Sequence, residues 1–493
     1  MSGKYLLKHK EIPVLMFYLD DDYKLLDMEP PFDYNRLPYG AKYKGNEKAC
    51  FTQFKDWIEK RGLPESRSDI NNIKTSTGAI NTKKILFGSY SLTLADHYWA
   101  HKAGLNIKWK DVNFFDNSFD SIIDFDTSFI YKNKKDVAVA PDLTVDGNLR
   151  KSWMRKDNEL FLIKEGRYDE KQEPFNEVIA SNIMKLFGIN HVPYGLIRSE
   201  KNNIPLSICK CMVDKNTELI PAQYVLDTEQ KKERNNYARF IETCANNGIN
   251  NAKNKIDEMM FIDFIIANTD RHTNNFGIIR DANTLEWLRI APIFDNGNSL
   301  FHNERNSDNI GINSYSSCRW LENFNKDNLD KIDYPQWYDA SKIDSIKNII
   351  YEGLKLNKNT DTSKIDKIIN ITDYNIKQFE KLINNKSNKN IRGFTAQNDK
   401  TSDDLPNDFY LQNVIKDYDA SKYSNPIELA KHAGLIQGVC ESVLALGDNY
   451  EMGRKLFSEM KVTKEDAKKY ANPETFKKLE EGIFSRANEQ KNA

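Results

Sequence analysis

The chain of 493 residues carries 71 basic and 72 acidic side chains, for a formal net charge of −1. This length exceeds what one compact core usually holds, so we expect two to three domains. The balanced charge gives no general attraction to nucleic acid or to an anionic membrane surface. No helix-turn-helix with a basic recognition face stands out either, so we expect neither as a direct partner.

The cysteines and the apolar runs give an expectation about the compartment. The six cysteines include no Cys-x-x-Cys pair, and the N-terminus has no apolar run long enough for a signal peptide. No segment approaches the roughly 18 apolar residues that a membrane-spanning helix needs. These features predict a cytoplasmic protein with reduced cysteines.

Residues 1–139 are predicted to form an N-terminal accessory region of mixed helices and strands. Apolar runs at 12–19 and 24–28 flank an Asp-rich turn, which indicates a β-hairpin. Residues 46–60 carry an apolar helical face, and residues 65–83 are polar and rich in turn residues.

The segment 92–102 is predicted to be helical, which would place His97 and His101 on one face. Such a pair could bind zinc, but a zinc site needs three or four ligands and no third ligand is near in sequence. We therefore interpret the pair as part of a partly buried amphipathic face. The aromatic run 109–119 is predicted to pack against a catalytic domain.

Residues 140–213 have the pattern of a small β-rich lobe. The segments 143–154 and 160–164 indicate strand, turn and strand, with Gly147 in the turn. A glycine there lets backbone N–H groups approach phosphates, and Lys164 on a buried strand can pair with them.

A helix over 174–187 is predicted next, because Pro174 suits the first turn and Gly188 follows the last. Glu177 in its first turn could hold the Lys164 ammonium in place. Two further strands, 191–197 and 206–213, complete a small sheet. Cys211 would then lie in the connector between two lobes, where backbone groups can recognise adenine.

A large helical lobe is predicted over residues 214–385. The apolar period of 256–267 indicates a helix that ends near Asn268 and delivers Asp270 on a loop. Residues 276–280 and 285–290 indicate a hairpin that would bring Asp295 back beside this loop. Further helices are predicted over 341–356 and 363–382.

Phosphoryl transfer needs the kind of constellation that this loop and hairpin would assemble. One carboxylate orients or deprotonates the acceptor hydroxyl, and an amide oxygen with a second carboxylate holds Mg²⁺ on the phosphates. Asp270, Asn275 and Asp295 supply those groups in the right order. We therefore predict ATP and Mg²⁺ as cofactors, with Asn275 and Asp295 as metal ligands.

The segment 268–275 together with 291–297 resembles the catalytic core of HipA-like bacterial serine/threonine kinases. Their Asn-x-Asp-Arg-His-x-x-Asn loop and the following Ala-Pro-x-aromatic-Asp run match these residues over roughly 140–300. The resemblance implies an α+β, two-lobed protein-kinase-like fold with a β-rich small lobe and a helical large lobe. The single glycine of the phosphate turn departs from the triple-glycine loop of most protein kinases.

The resemblance also implies a function, a partner and a self-modification. It implies a serine/threonine kinase, often the toxin of a toxin–antitoxin pair, acting on a translation component such as an aminoacyl-tRNA synthetase. An antitoxin or other regulatory protein is then an expected partner. In that family a serine of the phosphate loop is autophosphorylated, and Ser152 and Thr144 are the candidates in this chain.

Two other functions stay open on the sequence alone. Phosphoinositide kinases share the Asp-Arg-His-x-x-Asn loop, so a lipid or small molecule could be the acceptor, although the balanced charge does not favour a membrane surface. A nucleotide-binding regulator with weak catalysis is the third hypothesis. The presence of Asp270, Asn275 and Asp295 disfavours that hypothesis.

The end of the chain is predicted to be a separate module. Residues 386–407 are rich in Asn, Lys and Ser and are predicted to be a linker. Residues 408–493 are predicted to form a C-terminal helical module, with helical periodicity over 427–446 and 450–460. Thr463 is predicted to cap a helix with acidic residues in its first turn.

Overall fold

The computed structural model divides into two compact units, residues 1–390 and 391–493. The residues that it describes are 3–42, 51–67, 69–126, 139–145, 147–167, 170–228, 235–304, 307–311, 329, 331–332, 337–396, 436, 440, 458, 462–471 and 473–480. Among these residues, no helix is both long enough and apolar enough to cross a membrane.

The N-terminal region contains an antiparallel sheet covered by short helices. Its strands have the spatial order β3-β2-β1-β4, and they are β1 (Gly3–His9), β2 (Ile12–Leu19), β3 (Leu25–Met28) and β4 (Tyr98–Lys102). The helices are α1 (Phe51–Glu59), α2 (Ile70–Thr77), α3 (Thr82–Gly88) and α4 (Trp109–Val112), with a 3₁₀ turn at Tyr39–Ala41. The predicted hairpin, now β2 and β3, and the predicted helix α1 are confirmed.

Two predictions for this region were wrong. The segment predicted as a helix over 92–102 ends in strand β4, which pairs with β1. Its consecutive residues Tyr98, Trp99 and Ala100 are all buried, and a strand buried on both faces is hard to distinguish from a buried helix by periodicity. The polar segment 65–83 contains α2 and the start of α3. Helix α2 buries only Ile70 and Ile73, so the sequence shows little apolar periodicity there.

The second sheet and one helix form the β-rich part that follows. Its antiparallel strands have the order β5-β6-β8-β7, and they are β5 (Lys151–Lys156), β6 (Glu159–Glu165), β7 (Tyr194–Arg198) and β8 (Pro205–Lys210). Helix α5 (Glu173–Phe187) has Pro174 in its first turn and ends at Gly188, which has a φ of 68°. Strands β6, β7 and β8 and this helix confirm the predicted elements to within a few residues, whereas β5 begins eight residues after the predicted start at 143.

The turn that was predicted around Gly147 lies elsewhere. The β5–β6 hairpin turns at Asp157 and Asn158, because β5 begins only at Lys151. Residues Pro141–Thr144 form a 3₁₀ turn rather than a strand. Gly147, with a φ of 96°, therefore lies in the loop that leads into β5.

The third sheet joins the strand region to the helices. Strands β9 (Thr217–Pro221), β10 (Gly277–Asp281) and β11 (Trp287–Ile290) are antiparallel in the order β11-β10-β9, which confirms the predicted hairpin. A side chain at Gly277 would lie 2.1 Å from the carbonyl oxygen of Ile220. Only glycine therefore allows β10 to approach β9 so closely.

The helical part packs around one large apolar core. Its helices are α6 (Ala222–Thr228), α7 (Asn236–Asn246), α8 (Ala252–Ile265), α9 (Ile343–Lys355) and α10 (Thr362–Ala396), with 3₁₀ turns at Ser307–Asn309 and Ala340–Lys342. Helix α9 crosses α5 closely, since a side chain at Gly353 would lie 2.3 Å from Ile179 Cγ1. A β-rich part followed by a helical part confirms the predicted α+β class.

Helix α10 extends beyond its predicted end. Residues 386–396 of the predicted linker belong to this helix, and residues 397–407 lie outside the described residues. The polar composition of 386–396 suggested a linker, but long polar side chains are also compatible with a helix.

The second unit is described over a few short segments. Helices α11 (Lys464–Tyr470) and α12 (Pro473–Leu479) are present, and Thr463 forms a capping box with Asp466, which confirms the predicted cap. The helices predicted over 427–446 and 450–460 fall almost entirely outside the described residues.

Candidate active site

A cleft of about 350 Å³ lies between the β5–β8 sheet and two loops, residues 270–275 and 294–298. Six residues that the sequence singled out line it: Gly147, Lys164, Cys211, Asp270, Asn275 and Asp295. Glu177 lies behind Lys164 rather than on the surface of the cleft. The structure thus brings the predicted residues from both lobes to one cavity.

Lys164 is held between two carboxylates at the back of the cleft. Its Nζ donates to Glu177 Oε1 at 3.1 Å and to Asp295 Oδ1 at 2.7 Å. The ammonium also lies 5.6 Å from the centre of the Tyr194 ring. Strand β6 delivers the lysine, helix α5 delivers the glutamate, and the loop after β11 delivers the aspartate, so three elements meet at this ammonium.

The charges of this trio depend on one another. Burial alone would lower the pKa of Lys164, but Asp295, Tyr194 and Glu177 outweigh it and raise that pKa well above its ordinary value. Burial also opposes ionisation of Asp295, yet the Lys164 ammonium holds the pKa of Asp295 well below its usual range. Burial and the Asp295 charge raise the pKa of Glu177, which Lys164 partly offsets. The trio therefore favours an ionised Asp295 facing the cleft.

The loop that carries Asp270 begins where helix α8 stops. Ala267 has a φ of 51°, and this left-handed residue turns the chain away from the helix axis. Asn268 Oδ1 accepts from the backbone N–H of Asp270 at 3.0 Å, and Asn275 Nδ2 donates to Asp270 O at 2.9 Å. Both ends of the loop are thus fixed around the aspartate.

Arg271 joins the two loops, a role that the sequence did not indicate. Its guanidinium, fully buried, donates twice to Asp263 and once each to the carbonyl oxygens of Asn275 and Phe294. A further bond reaches Asn296 Oδ1 at 2.6 Å. One side chain therefore fixes the position of both Asn275 and Asp295.

Asn298 and Arg167 are functional candidates that the sequence analysis missed. Asn298 Nδ2 donates to Asp270 Oδ2 at 2.6 Å, and Arg167 Nη2 donates to Asn298 Oδ1 at 2.8 Å. Both residues line the cleft. For Asn298 the sequence signal was its position three residues after Asp295. Arg167 belongs to no motif, so the sequence contains no signal for it.

The residues present fit a magnesium ion. The described residues contain no group of three or more His, Cys, Asp or Glu side chains suited to a metal. Mg²⁺ does not require such a group, because it is usually bound by one or two protein groups together with substrate phosphates and water. Among the described residues, none donates a hydrogen bond to Asn275 Oδ1, and Asp295 lines the same cleft with its carboxylate.

Cys211, Met212 and Val213 line another part of the cleft. Burial raises the pKa of the Cys211 thiol to about 12, so it stays a neutral thiol. Its Sγ lies 3.6 Å from Leu94 O, and Leu219 N donates to Ala95 O at 2.9 Å. The N-terminal region thus contributes one wall of the cleft, which the sequence did not indicate.

The two candidate phosphorylation sites do not line this cleft. Ser152 is 3 % exposed, and its hydroxyl contacts Ser121 Oγ and Asp142 Oδ2. Thr144 is 4 % exposed, and its hydroxyl donates to Pro141 O. Phosphate transfer to either hydroxyl requires this segment to leave its present packing.

A family model and a curated relative each match part of the chain. The family model of the HipA-like C-terminal domain matches residues 133–352. The serine/threonine-protein kinase CtkA of Helicobacter pylori is 26 % identical over 218 residues, which cover 41 % of this chain. The match spans 64 % of the length of that curated relative.

Two solved structures are similar to the chain at low identity. One is the H. pylori proinflammatory kinase CtkA, with a TM-score of 0.39 and 19 % identity over 48 % of this chain and 94 % of that one. The other is the Shewanella oneidensis toxin–antitoxin system HipA, HipB and operator DNA complex. That match has a TM-score of 0.44 and 11 % identity over 76 % of this chain and 97 % of that one. Residues 133–352 of this chain thus match the HipA-like C-terminal domain family.

Proposed function

We propose that the protein is a serine/threonine kinase that transfers the γ-phosphate of ATP to a protein hydroxyl. One observation carries the proposal: Lys164, held by Glu177 and Asp295, faces the same cleft as Asp270 and Asn275. A cation for the phosphates, oxygen ligands for a metal and a carboxylate for the acceptor hydroxyl are the recurring parts of a phosphoryl-transfer site. The homology to a serine/threonine-protein kinase supports the same reaction.

Each residue has a role in this proposal. Asp270 orients the acceptor hydroxyl or takes its proton, while Asn298 holds the second oxygen of that carboxylate. Asn275 and Asp295 hold Mg²⁺, which neutralises phosphate charge when bound. Lys164 binds the phosphates, and backbone groups around Cys211 contact the adenine. Gly147, in the loop before β5, leaves room for the phosphates to approach the backbone.

Finer points of the function extend this proposal. The acceptor is a protein, with a translation component such as an aminoacyl-tRNA synthetase as the first candidate, and the chain acts as the toxin of a toxin–antitoxin pair. Self-phosphorylation at Ser152 or Thr144 regulates it. These points rest on the family resemblance, because no contact in the cleft distinguishes one protein acceptor from another.

The test is the intact mass of the dephosphorylated protein after incubation with Mg-ATP, beside an Asp270→Ala variant. A gain of phosphate by the wild type alone supports the proposal, and peptide mapping then assigns it to Ser152, Thr144 or neither. Nucleotide binding is measured in parallel by calorimetry. The proposal fails if the wild type does not bind Mg-ATP, or binds it but transfers phosphate neither to itself nor to any protein or peptide.

A further inference from the structure

A second and larger cavity, of about 780 Å³, lies between the N-terminal region and the β9–β10 strands. Tyr39, Trp57 and Leu86 form its N-terminal side, while Pro221 and Tyr224 face them. Its size lies within the range of ligand pockets, about 300 to 1,000 Å³. No role in nucleotide binding explains this cavity.

Direct hydrogen bonds fix the two sides of this cavity relative to each other. Arg280 Nη2 donates to Tyr98 OH at 2.8 Å, and on the neighbouring strand Glu218 Oε2 lies 3.1 Å from Nε2 of His9 in β1. At another edge Thr228 Oγ1 donates to Tyr39 O at 3.1 Å. The cavity is therefore preformed, which reduces the ordering cost of binding a ligand there.

The cavity adjoins the nucleotide cleft. Six residues line both spaces: Leu94, Ala95, Val145, Trp153, Leu219 and Asn274. Asn274 is exposed and directly precedes Asn275, whose side chain is bonded to Asp270 O. A ligand that contacts Asn274 from the cavity therefore lies next to the loop that carries Asp270.

The charges of the lining disfavour a phosphate-rich ligand. Arg61 donates to both oxygens of Asp96 and to the carbonyl oxygens of Ser91 and Tyr98. Arg280 pairs with Glu218, and Lys83 Nζ lies 2.8 Å from Glu59 Oε1. Of the four cationic side chains that line the cavity, Arg61, Lys83 and Arg280 are therefore paired with carboxylates. The phosphates of a lipid headgroup or a nucleic acid would find few cations to bind.

The same lining suits a polypeptide. Its aromatic walls provide apolar contact area. Asp56 on α1 and Lys60 directly after α1 are both exposed, and they offer charges of both signs. We infer that this cavity binds an extended segment of the acceptor protein next to its phosphorylated serine or threonine. The inference rests on the proposed kinase function, because it assigns the acceptor side of that same site.

The test uses two matched threonine-to-tryptophan variants of the full chain. Thr82 begins α3, lines the cavity and donates to Glu65 Oε1 at 3.0 Å, but it does not line the nucleotide cleft. Thr75 lies on the neighbouring α2, is exposed and is not part of the lining. Thr82→Trp fills the cavity, and Thr75→Trp adds the same side chain elsewhere in the region.

Both variants and the wild type are incubated with Mg-ATP and a degenerate library of serine- and threonine-containing peptides. The best peptide is then used to measure kcat and KM, alongside nucleotide affinity and peptide-independent ATP hydrolysis. We expect Thr82→Trp to lower kcat/KM for the peptide about tenfold through KM, the loss of a single good contact. The nucleotide affinity and the ATP hydrolysis rate of Thr82→Trp should equal those of the control Thr75→Trp.

A second variant guards against a folding defect in Thr82→Trp. Lys60 is exposed, so Lys60→Glu should fold normally and shift the charge preference of the library at one peptide position. The inference would be overturned if Thr82→Trp left the peptide kinetics unchanged and Lys60→Glu left the peptide preference unchanged. So would a wild type that binds Mg-ATP and phosphorylates itself but no library peptide, and in that case the kinase proposal would still stand. Absence of nucleotide binding would instead remove both.

Discussion

Asp263 and Arg271 form a doubly bonded ion pair in which neither side chain is exposed to solvent: Nε to Oδ2 is 2.9 Å, and Nη2 to Oδ1 is 3.0 Å. Asn268 Nδ2 adds a third bond to Asp263 at 2.9 Å. Because Arg271 also bonds both cleft loops, this aspartate on α8 indirectly positions Asn275 and Asp295. Neither residue of the pair lines the cleft, so the pair acts on the cleft only through other residues.

Replacing Asp263 by alanine should destabilise the protein strongly. The substitution leaves the Arg271 guanidinium buried without its counter-ion, and breaking a buried pair in this way costs about 3–5 kcal/mol. Urea unfolding at pH 7 measures the loss. Asp366→Ala, at an exposed position of α10, is the control and should change stability by no more than about 0.5 kcal/mol. A loss below about 1 kcal/mol in Asp263→Ala would contradict this role.

Lys164→Ala should weaken nucleotide binding about tenfold or more. Without the ammonium, the carboxylates of Glu177 and Asp295 lose their shared cation and the phosphates lose theirs. Calorimetric titration with Mg-ATP measures the affinity, and Lys156→Ala, exposed on the same hairpin, serves as the control. Equal affinities of the two variants would argue against a phosphate-binding lysine.

Asn298→Ala should lower kcat about tenfold while leaving KM for ATP unchanged. The amide fixes one oxygen of Asp270, so its loss lets the carboxylate rotate out of line with the acceptor. Steady-state kinetics separate the two constants, and Asn247→Ala, at the exposed residue that follows α7, gives the reference. A change confined to KM would mean that Asn298 contacts the nucleotide instead of positioning Asp270.

His97 should make the fold sensitive to acid. Neither of its ring nitrogens has a hydrogen-bond partner among the described residues, and the ring packs against Phe115 at 4.7 Å. Burial lowers the pKa of His97 to about 4 from 6.5, with Glu218 opposing the shift and Lys10 and His9 adding to it. The folded protein therefore holds His97 neutral in a pH range where the unfolded chain takes up a proton.

The sign of the effect follows from these two pKa values. Above pH 6.5 the ring is neutral in both states, so stability does not depend on it. Between pH 6.5 and 4 the unfolded state binds the additional proton, so stability falls as the pH falls, by roughly 2 kcal/mol at pH 5. Urea unfolding at pH 7 and pH 5 should show that His97→Phe loses about that much less than the wild type. Equal losses in the two proteins would contradict the prediction.

The sequence predicted the parts of the site that a short motif carries. Asp270 and Asn275 share one loop. Lys164 lies at the end of β6 and Glu177 in the first turns of the next helix, α5. Local spacing in the sequence was therefore enough to select all four residues. Asp263, Asn298 and the Leu94–Ala95 wall could not be selected, because their roles arise only from contacts between distant segments. Strand β4 was missed for a related reason: its burial on both faces removes the alternation that identifies a strand.

The Leu94–Ala95 wall has a consequence for how the chain can be divided. Both residues lie outside the family-matched segment 133–352, yet Ala95 O accepts from Leu219 N and Leu94 O lies against Cys211. A fragment starting at residue 133 would therefore lack one side of its own nucleotide cleft and leave the Leu219 amide without its acceptor. The segment that matches the family model is therefore shorter than the part of the chain that encloses the cleft. If the cleft binds a nucleotide as we propose, any molecule that displaces the 94–95 loop changes the affinity for the nucleotide, and the nucleotide changes the affinity for that molecule by the same factor.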